Sequence, residues 1–315
     1  MKIYKLKFIN CGPITSIPDS QNFFGALAMA LKSNLGKEEL ENYLDNLNNQ
    51  KYQFLVSSFF FENTLPFPLD INPDNLASDA KLDDFKRIKK AKKIKFVSKG
   101  IFEDYQKNYL EFNKTYNQKI INQEYLLIQD NTLLIKKEEK DSFSYDAPYK
   151  SIVRTRNKVN YNDDTNLFYN RVTYLEKEVC FDCYLKVEND EILKDVVESL
   201  KKFEYLSIGG KRSIGINLFK FLEFKEVFFN SSNEKKVLLS KTVLNNNDID
   251  YDLSYYKIAV LNNKFDLTSQ RVYKKEITCM TEGSVFKTTK DVVGSLVPEN
   301  GEKFIVYHNG LGFLV

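Results

Sequence analysis

The chain has 315 residues, 43% of them hydrophobic and 28% charged, enough for a full apolar core and, by length, for about two ordinary domains. Its 46 Lys+Arg stand against 43 Asp+Glu, a net charge of +3, which excludes a histone-like polycation and requires any nucleic-acid surface to be local. Four scattered cysteines, an N-terminus (MKIYKLKFIN) without an apolar run, and no stretch near the ~18 apolar residues of a membrane span together predict a cytoplasmic protein in a reducing compartment.

Residues 2–9 alternate apolar with charged side chains, the pattern of a strand with one buried face. After a Gly12-Pro13 break, Pro18-Asp19-Ser20 offers a helix start, and Phe23, Phe24, Leu27 and Leu31 follow at helical spacing. Tyr52 to Phe61 reads as a second strand, ended by Pro66 and Pro68. A basic run, Lys86 to Lys95, comes next, with cations nearly all round a helix, the pattern of a solvated face. Residues 65–165 read as insertions and loops. Val172 to Val187 is strand-like, Asn189 caps an amphipathic helix carrying Ile192, Leu193, Val196, Val197 and Leu200, and Ile216 to Phe224 is again a strand. This order, β-α-β, insertion, β-α-loop-β, predicts an α+β chain. A ferredoxin-like (RRM-like) unit over residues 1–225 holds the insertion at about 65–165, and a smaller β-rich C-terminal domain covers 226–315.

The densest glycine cluster, SIGGKRSIGINLF from Ser207 to Phe219, encloses two cations and a hydroxyl. Glycine permits positive φ and close approach, so Gly209, Gly210, Lys211, Arg212, Ser213 and Gly215 describe an anion site. It is no Walker loop, because Tyr205 stands where the first glycine belongs and the helix precedes the loop instead of following it. No Gly-x-Gly heads it, which excludes a dinucleotide fingerprint. A plain helix-to-strand connection explains the glycines but not the cations among them. Successive phosphates of an RNA backbone explain both. Arg154, Arg156 and Lys158 alternate with Thr155, Asn157 and Val159, so an extended backbone sets the three cations along one side, while Asn157 and Asn160 can reach bases or 2′-hydroxyls.

The order of elements, the loop Gly209 to Gly215 and the segment Val153 to Asn160 resemble the RAMP superfamily of CRISPR RNA-binding proteins. Within it, the chain is similar to the fourth subunit of the type III-A Csm effector complex. The segment Asp19-Ser-Gln-Asn-Phe-Phe-Gly-Ala-Leu matches that family's first helix, and the resemblance adds Ser20 to the RNA contacts. It implies a non-catalytic subunit that binds the 5′ repeat-derived handle of the CRISPR RNA and anchors the large polymerase-like subunit. A neighbouring backbone RAMP subunit is a further implied partner, and target RNA is met through the complex. Part of the insertion is implied to form a thumb that wedges into the guide–target duplex.

Two alternatives stay open: a RAMP-type endoribonuclease processing repeat RNA, and a structural partner that never touches RNA. Cleaving relatives commonly use histidine, and this chain has one, His308, in the turn-like Tyr307-His-Asn-Gly. Cys180-Phe-Asp-Cys183 has the spacing of half a zinc site but no second pair, and on a strand the two thiols point to opposite faces, so no metal or other cofactor is expected.

Overall fold

The computed structural model describes residues 1–72, 82–143, 149–158, 166–175, 179–210, 215–230, 235–261, 264–266, 271–273, 275–300 and 305–315. The chain opens with β1 (Lys2–Asn10), α1 (Ser20–Leu35), α2 (Lys37–Asn48), β2 (Phe54–Val56) and β3 (Phe60–Phe61). The insertion contributes β4 (Thr64–Pro66), α3 (Leu82–Ala91), β5 (Phe96–Ser98), α4 (Lys99–Lys107), α5 (Tyr109–Ile121), β6 (Tyr125–Ile128) and β7 (Leu133–Lys136). A long hairpin, β8 (Tyr149–Lys158) and β9 (Asn166–Leu175), leads back to β10 (Cys180–Val187), α6 (Asp190–Lys201), β11 (Leu206–Ser207) and β12 (Leu218–Glu226). The C-terminal segment holds β13 (Lys235–Val237), β14 (Asp250–Tyr255), β15 (Ile258–Leu261), β16 (Lys264–Asp266) and β17 (Arg271–Tyr273). It ends with β18 (Ile277–Met280), β19 (Val285–Lys287), β20 (Leu296–Asn300) and β21 (Ile305–Asn309).

The central sheet runs β12-β1-β10-β2 with every pair antiparallel, which is the ferredoxin-like order. The alternation in β1 is the cause: Tyr4, Leu6 and Phe8 turn to one face and are buried, while Lys5 and Lys7 turn to the other. Helices α1 and α6 pack together over the sheet. Phe8 sits at the centre, with ring centroids 5.6 Å from Phe23, 5.0 Å from Phe59 and 5.4 Å from Phe221. Asp19 caps α1, accepting from Asn22 N, and Asn189 caps α6, accepting from Ile192 N.

Three sequence expectations are corrected. Tyr52 to Phe61 is two short strands, because at Ser58 and Phe59 the backbone N–H groups turn away to donate to Leu239 O (2.8 Å) and Pro18 O (3.0 Å). Val172 to Val187 is likewise divided between β9, which pairs with β8, and β10, which enters the central sheet. The insertion is no set of loops. It carries its own sheet, β4-β5-β7-β6, with β5 and β7 parallel, and α4 and α5 pack on it through Phe102, Tyr105, Phe112 and Tyr116.

The ferredoxin-like unit closes with β12 at Glu226, but the core continues past it. Val237, Leu239, Leu311, Phe313 and Val315 belong to the same buried cluster as Phe8 and Phe181. Polar bonds stitch the C-terminal segment to the start of α1. Lys241 Nζ donates to Asp19 at 2.6 Å, Asn309 N donates to Gln21 Oε1 at 3.0 Å, and Gln21 Nε2 donates to Asn309 O.

Candidate RNA interface

The glycine loop joins two strands, β11 and β12, which pair only at Leu206–Phe219 and Ser207–Leu218. It is therefore a hairpin loop, not the direct helix-to-strand connection that the sequence suggests. So short a ladder does not fix a loop of this length. The fixing group is Asn217, which sequence reasoning missed. Its side chain is buried and its φ is +61°, a left-handed conformation that asparagine tolerates better than most residues. Its Nδ2 donates to Gly210 O (2.8 Å) and to Thr15 Oγ1 (3.2 Å), and its Oδ1 accepts from Thr15 N (2.8 Å). The backbone joins in, since Asn217 N donates to Pro13 O and Ile208 N donates to Asn217 O, both at 2.9 Å.

Gly209 (φ +106°) and Gly215 (φ +72°) take the positive φ that their residue type permits. Gly12 serves close approach: a Cβ there would lie 3.2 Å from Gly215 O. The ends of the glycine loop are thus pressed against the segment from Gly12 to Thr15, hereafter the strap. Lys211, Arg212 and Ser213 lie outside the described residues.

The strap also holds the other predicted segment. Ile14 N donates to Thr173 O and Thr173 N donates to Ile14 O, both at 2.8 Å, which joins β9 to the strap. The β8–β9 ladder is paired in full from Tyr149–Leu175 to Lys158–Asn166. Arg154, Arg156 and Lys158 therefore stand at alternate positions on an extended strand, with Asn157 among them. Arg154 is exposed, and its guanidinium lies 5.0 Å from the Tyr174 ring centroid. Tyr169 is exposed on the partner strand. Asn160 falls outside the described residues.

Ser20 does not reach this surface. It is fully buried; its hydroxyl accepts from Lys241 N at 2.9 Å and its N–H donates to Ser58 Oγ at 2.9 Å. Its oxygen joins α1 to the C-terminal segment, so the expectation of an RNA contact there is corrected. The basic run is also partly seated. Ile88, Ala91 and Ile94 are buried under it, and Arg87 donates to Ile121 O.

His308 lies on β21, not in a turn, and is buried, with Nε2 3.4 Å from Glu299 Oε2. Other buried acids are likewise engaged in the fold. Asp182 accepts from Lys5 Nζ (3.0 Å) and Asn63 N (2.9 Å), and burial outweighs that ammonium in raising its pKa. Burial also raises the pKa of Glu282, which accepts from Ser58. Cys180 and Cys183 lie on β10, the first half-exposed and the second buried. Among the described residues no group of three or more His, Cys, Asp or Glu is gathered to hold a metal, and no helix is long and apolar enough to cross a membrane.

Comparison with known proteins places the fold. A curated relative, the CRISPR system Cms protein Csm4 of Methanocaldococcus jannaschii, is 24% identical over 320 residues, covering 90% of this chain and 82% of the relative. A chain of the Csm3-Csm4 subcomplex of the type III-A interference complex shares the fold with a TM-score of 0.63 at 21% identity, over 100% of this chain and 98% of the other. A chain of the Csm1-Csm4 cassette in complex with pppApA gives 0.62 at 18% identity, over 100% and 97%. A chain of a type III-B Cmr-beta complex bound to cognate target RNA gives 0.51 at 16%, over 90% and 86%. The family model of the RAMP superfamily matches residues 23–220, most of the ferredoxin-like unit and its insertion, and the chain belongs to that superfamily.

Proposed function

We propose that this chain is the subunit of a type III-A CRISPR effector complex that grips the 5′ repeat-derived handle of the guide RNA and anchors the large polymerase-like subunit beside a backbone RAMP subunit. The observation that carries this reading is the strap. Adjacent residues Ile14 and Thr15 hold, respectively, the foot of the basic hairpin and the end of the glycine loop, so two segments far apart in sequence are joined to one strap. Such a junction suits a single strand of RNA. Phosphates meet Lys211, Arg212, Arg154, Arg156 and Lys158, while Tyr169 offers a ring for stacking. The similarity to Csm4, and to chains solved with Csm3 and with Csm1, supports the partners named. A cytoplasmic ribonucleoprotein follows from these partners.

The role is non-catalytic. The single histidine is buried in the β20–β21 hairpin, which weighs against the processing-endonuclease alternative. Purification of the chain from its host should recover an RNA with a repeat-derived 5′ end together with the large subunit. A preparation free of RNA, or cleavage of repeat RNA by the pure chain that His308→Ala abolishes, would overturn the reading.

A further inference from the structure

Beside the strap lies a recess of about 240 Å3 that the phosphate contacts do not use. Its walls come from three parts of the fold: Ile17 from the strap side, Phe96 and the β6–β7 turn from the insertion, and Leu175 from the foot of the hairpin, with Phe61 behind them. Phe61 and Phe96 meet edge to face at 6.0 Å, which sets an aromatic surface inside the recess.

We propose that this recess receives one unstacked nucleobase of the RNA strand, a contact that rests on the RNA-binding reading above and makes it specific. Ile14 and Thr173 line the recess and also form the joint between strap and hairpin, so a strand that follows this joint passes beside the recess. A base turned out of its stack loses π-contact, and apolar and aromatic walls restore it. The rim offers polar side chains as well. Ser16, Gln129 and Lys95 all line the recess, and none makes a side-chain hydrogen bond to a described residue. An amide supplies a donor and an acceptor side by side, the pair that a base edge presents in return.

The turn that carries Gln129 is strained in a way that fits a binding site. Gln129, Asp130 and Asn131 all have positive φ (52°, 55° and 67°), a conformation disfavoured for residues with a Cβ. Thr132 braces the turn by donating its hydroxyl to Gln129 O at 2.7 Å.

The test uses the purified full chain and a synthetic copy of the RNA that co-purifies with it, resynthesised with one abasic nucleotide at each position in turn. One position should lose about tenfold in affinity, and Ser16→Trp, which fills the recess from an exposed position, should show the same loss and become insensitive to the abasic change there. Gln129→Leu should alter base preference at that position without altering the salt dependence, because no phosphate contact is lost. A flat abasic scan with full affinity overturns the recess and leaves the RNA-binding reading standing. Failure of the unmodified strand to bind the chain overturns both.

Discussion

The ends of the glycine loop and the β8–β9 hairpin are fixed by opposite means. The loop has almost no ladder beneath it, and a buried asparagine ties it to the strap through four side-chain hydrogen bonds. The hairpin has a complete ladder of ten pairs, yet it is largely exposed and meets the strap through two backbone hydrogen bonds at one residue pair. A ladder fixes the shape of a ribbon and leaves its direction to its joint. A buried side chain fixes position but depends on one residue. The loop should therefore fail sharply under a single substitution, and the hairpin should fail gradually.

Asn217→Ala is the strongest way to break the comparison. It leaves Thr15 N–H and Gly210 C=O without their partner and puts a less tolerant residue at positive φ, a loss of about 2–4 kcal/mol. Asn217→Gly removes the same bonds but suits the backbone, so it should recover about 1 kcal/mol of that loss while RNA affinity stays low. Urea melts and binding isotherms separate the two. Equal melts would show that the backbone conformation does not matter.

Thr173→Pro attacks the hairpin joint by deleting the N–H that Ile14 O accepts. Its cost should be smaller, about 1–2 kcal/mol, because the rest of the ladder remains. RNA affinity should fall more than stability, since the ribbon keeps its shape and loses its direction. A fall in stability alone would mean that the hairpin's direction is immaterial. Next in size, Lys211→Ala with Arg212→Ala should leave the melt unchanged and flatten the log–log salt slope of RNA binding by about 1.4, two phosphates on single-strand values.

What the sequence disclosed follows from the range of each interaction. The alternation in β1 and the Asn189 cap before α6 are local, so their periods are visible in the chain. The insertion was hidden because β4, β5, β6 and β7 have only three or four residues each, too few to show a period. The glycines and the alternating cations stood out by composition. The residues that unite them did not, because Asn217 meets Thr15 across 202 positions and Thr173 meets Ile14 by backbone alone. Ser20, added by the resemblance alone, shows the same range: the backbone N–H that engages its hydroxyl arrives from Lys241, far along the chain. An asparagine just after a glycine cluster and before a strand is the one local hint that could have been used, since asparagine tolerates the left-handed conformation.

Arg154 gives the finest test, because it separates charge from geometry on the hairpin. Arg154→Ala should flatten the salt slope by about 0.7 and also lose the contact with Tyr174, worth about 0.5–1 kcal/mol at an exposed site. Arg154→Lys keeps the charge and so the slope, but a compact ammonium on a flexible stem neither stacks on the ring nor forks onto a phosphate as a guanidinium does. Affinity for RNA in the lysine variant should therefore fall by a few-fold at every salt concentration, as a parallel displacement of the line. If instead lysine restores full affinity, the hairpin acts only as a row of charge, and Tyr174 plays no part in aiming it. If alanine changes neither slope nor affinity, the hairpin lies off the path of the RNA and the glycine loop carries the strand alone.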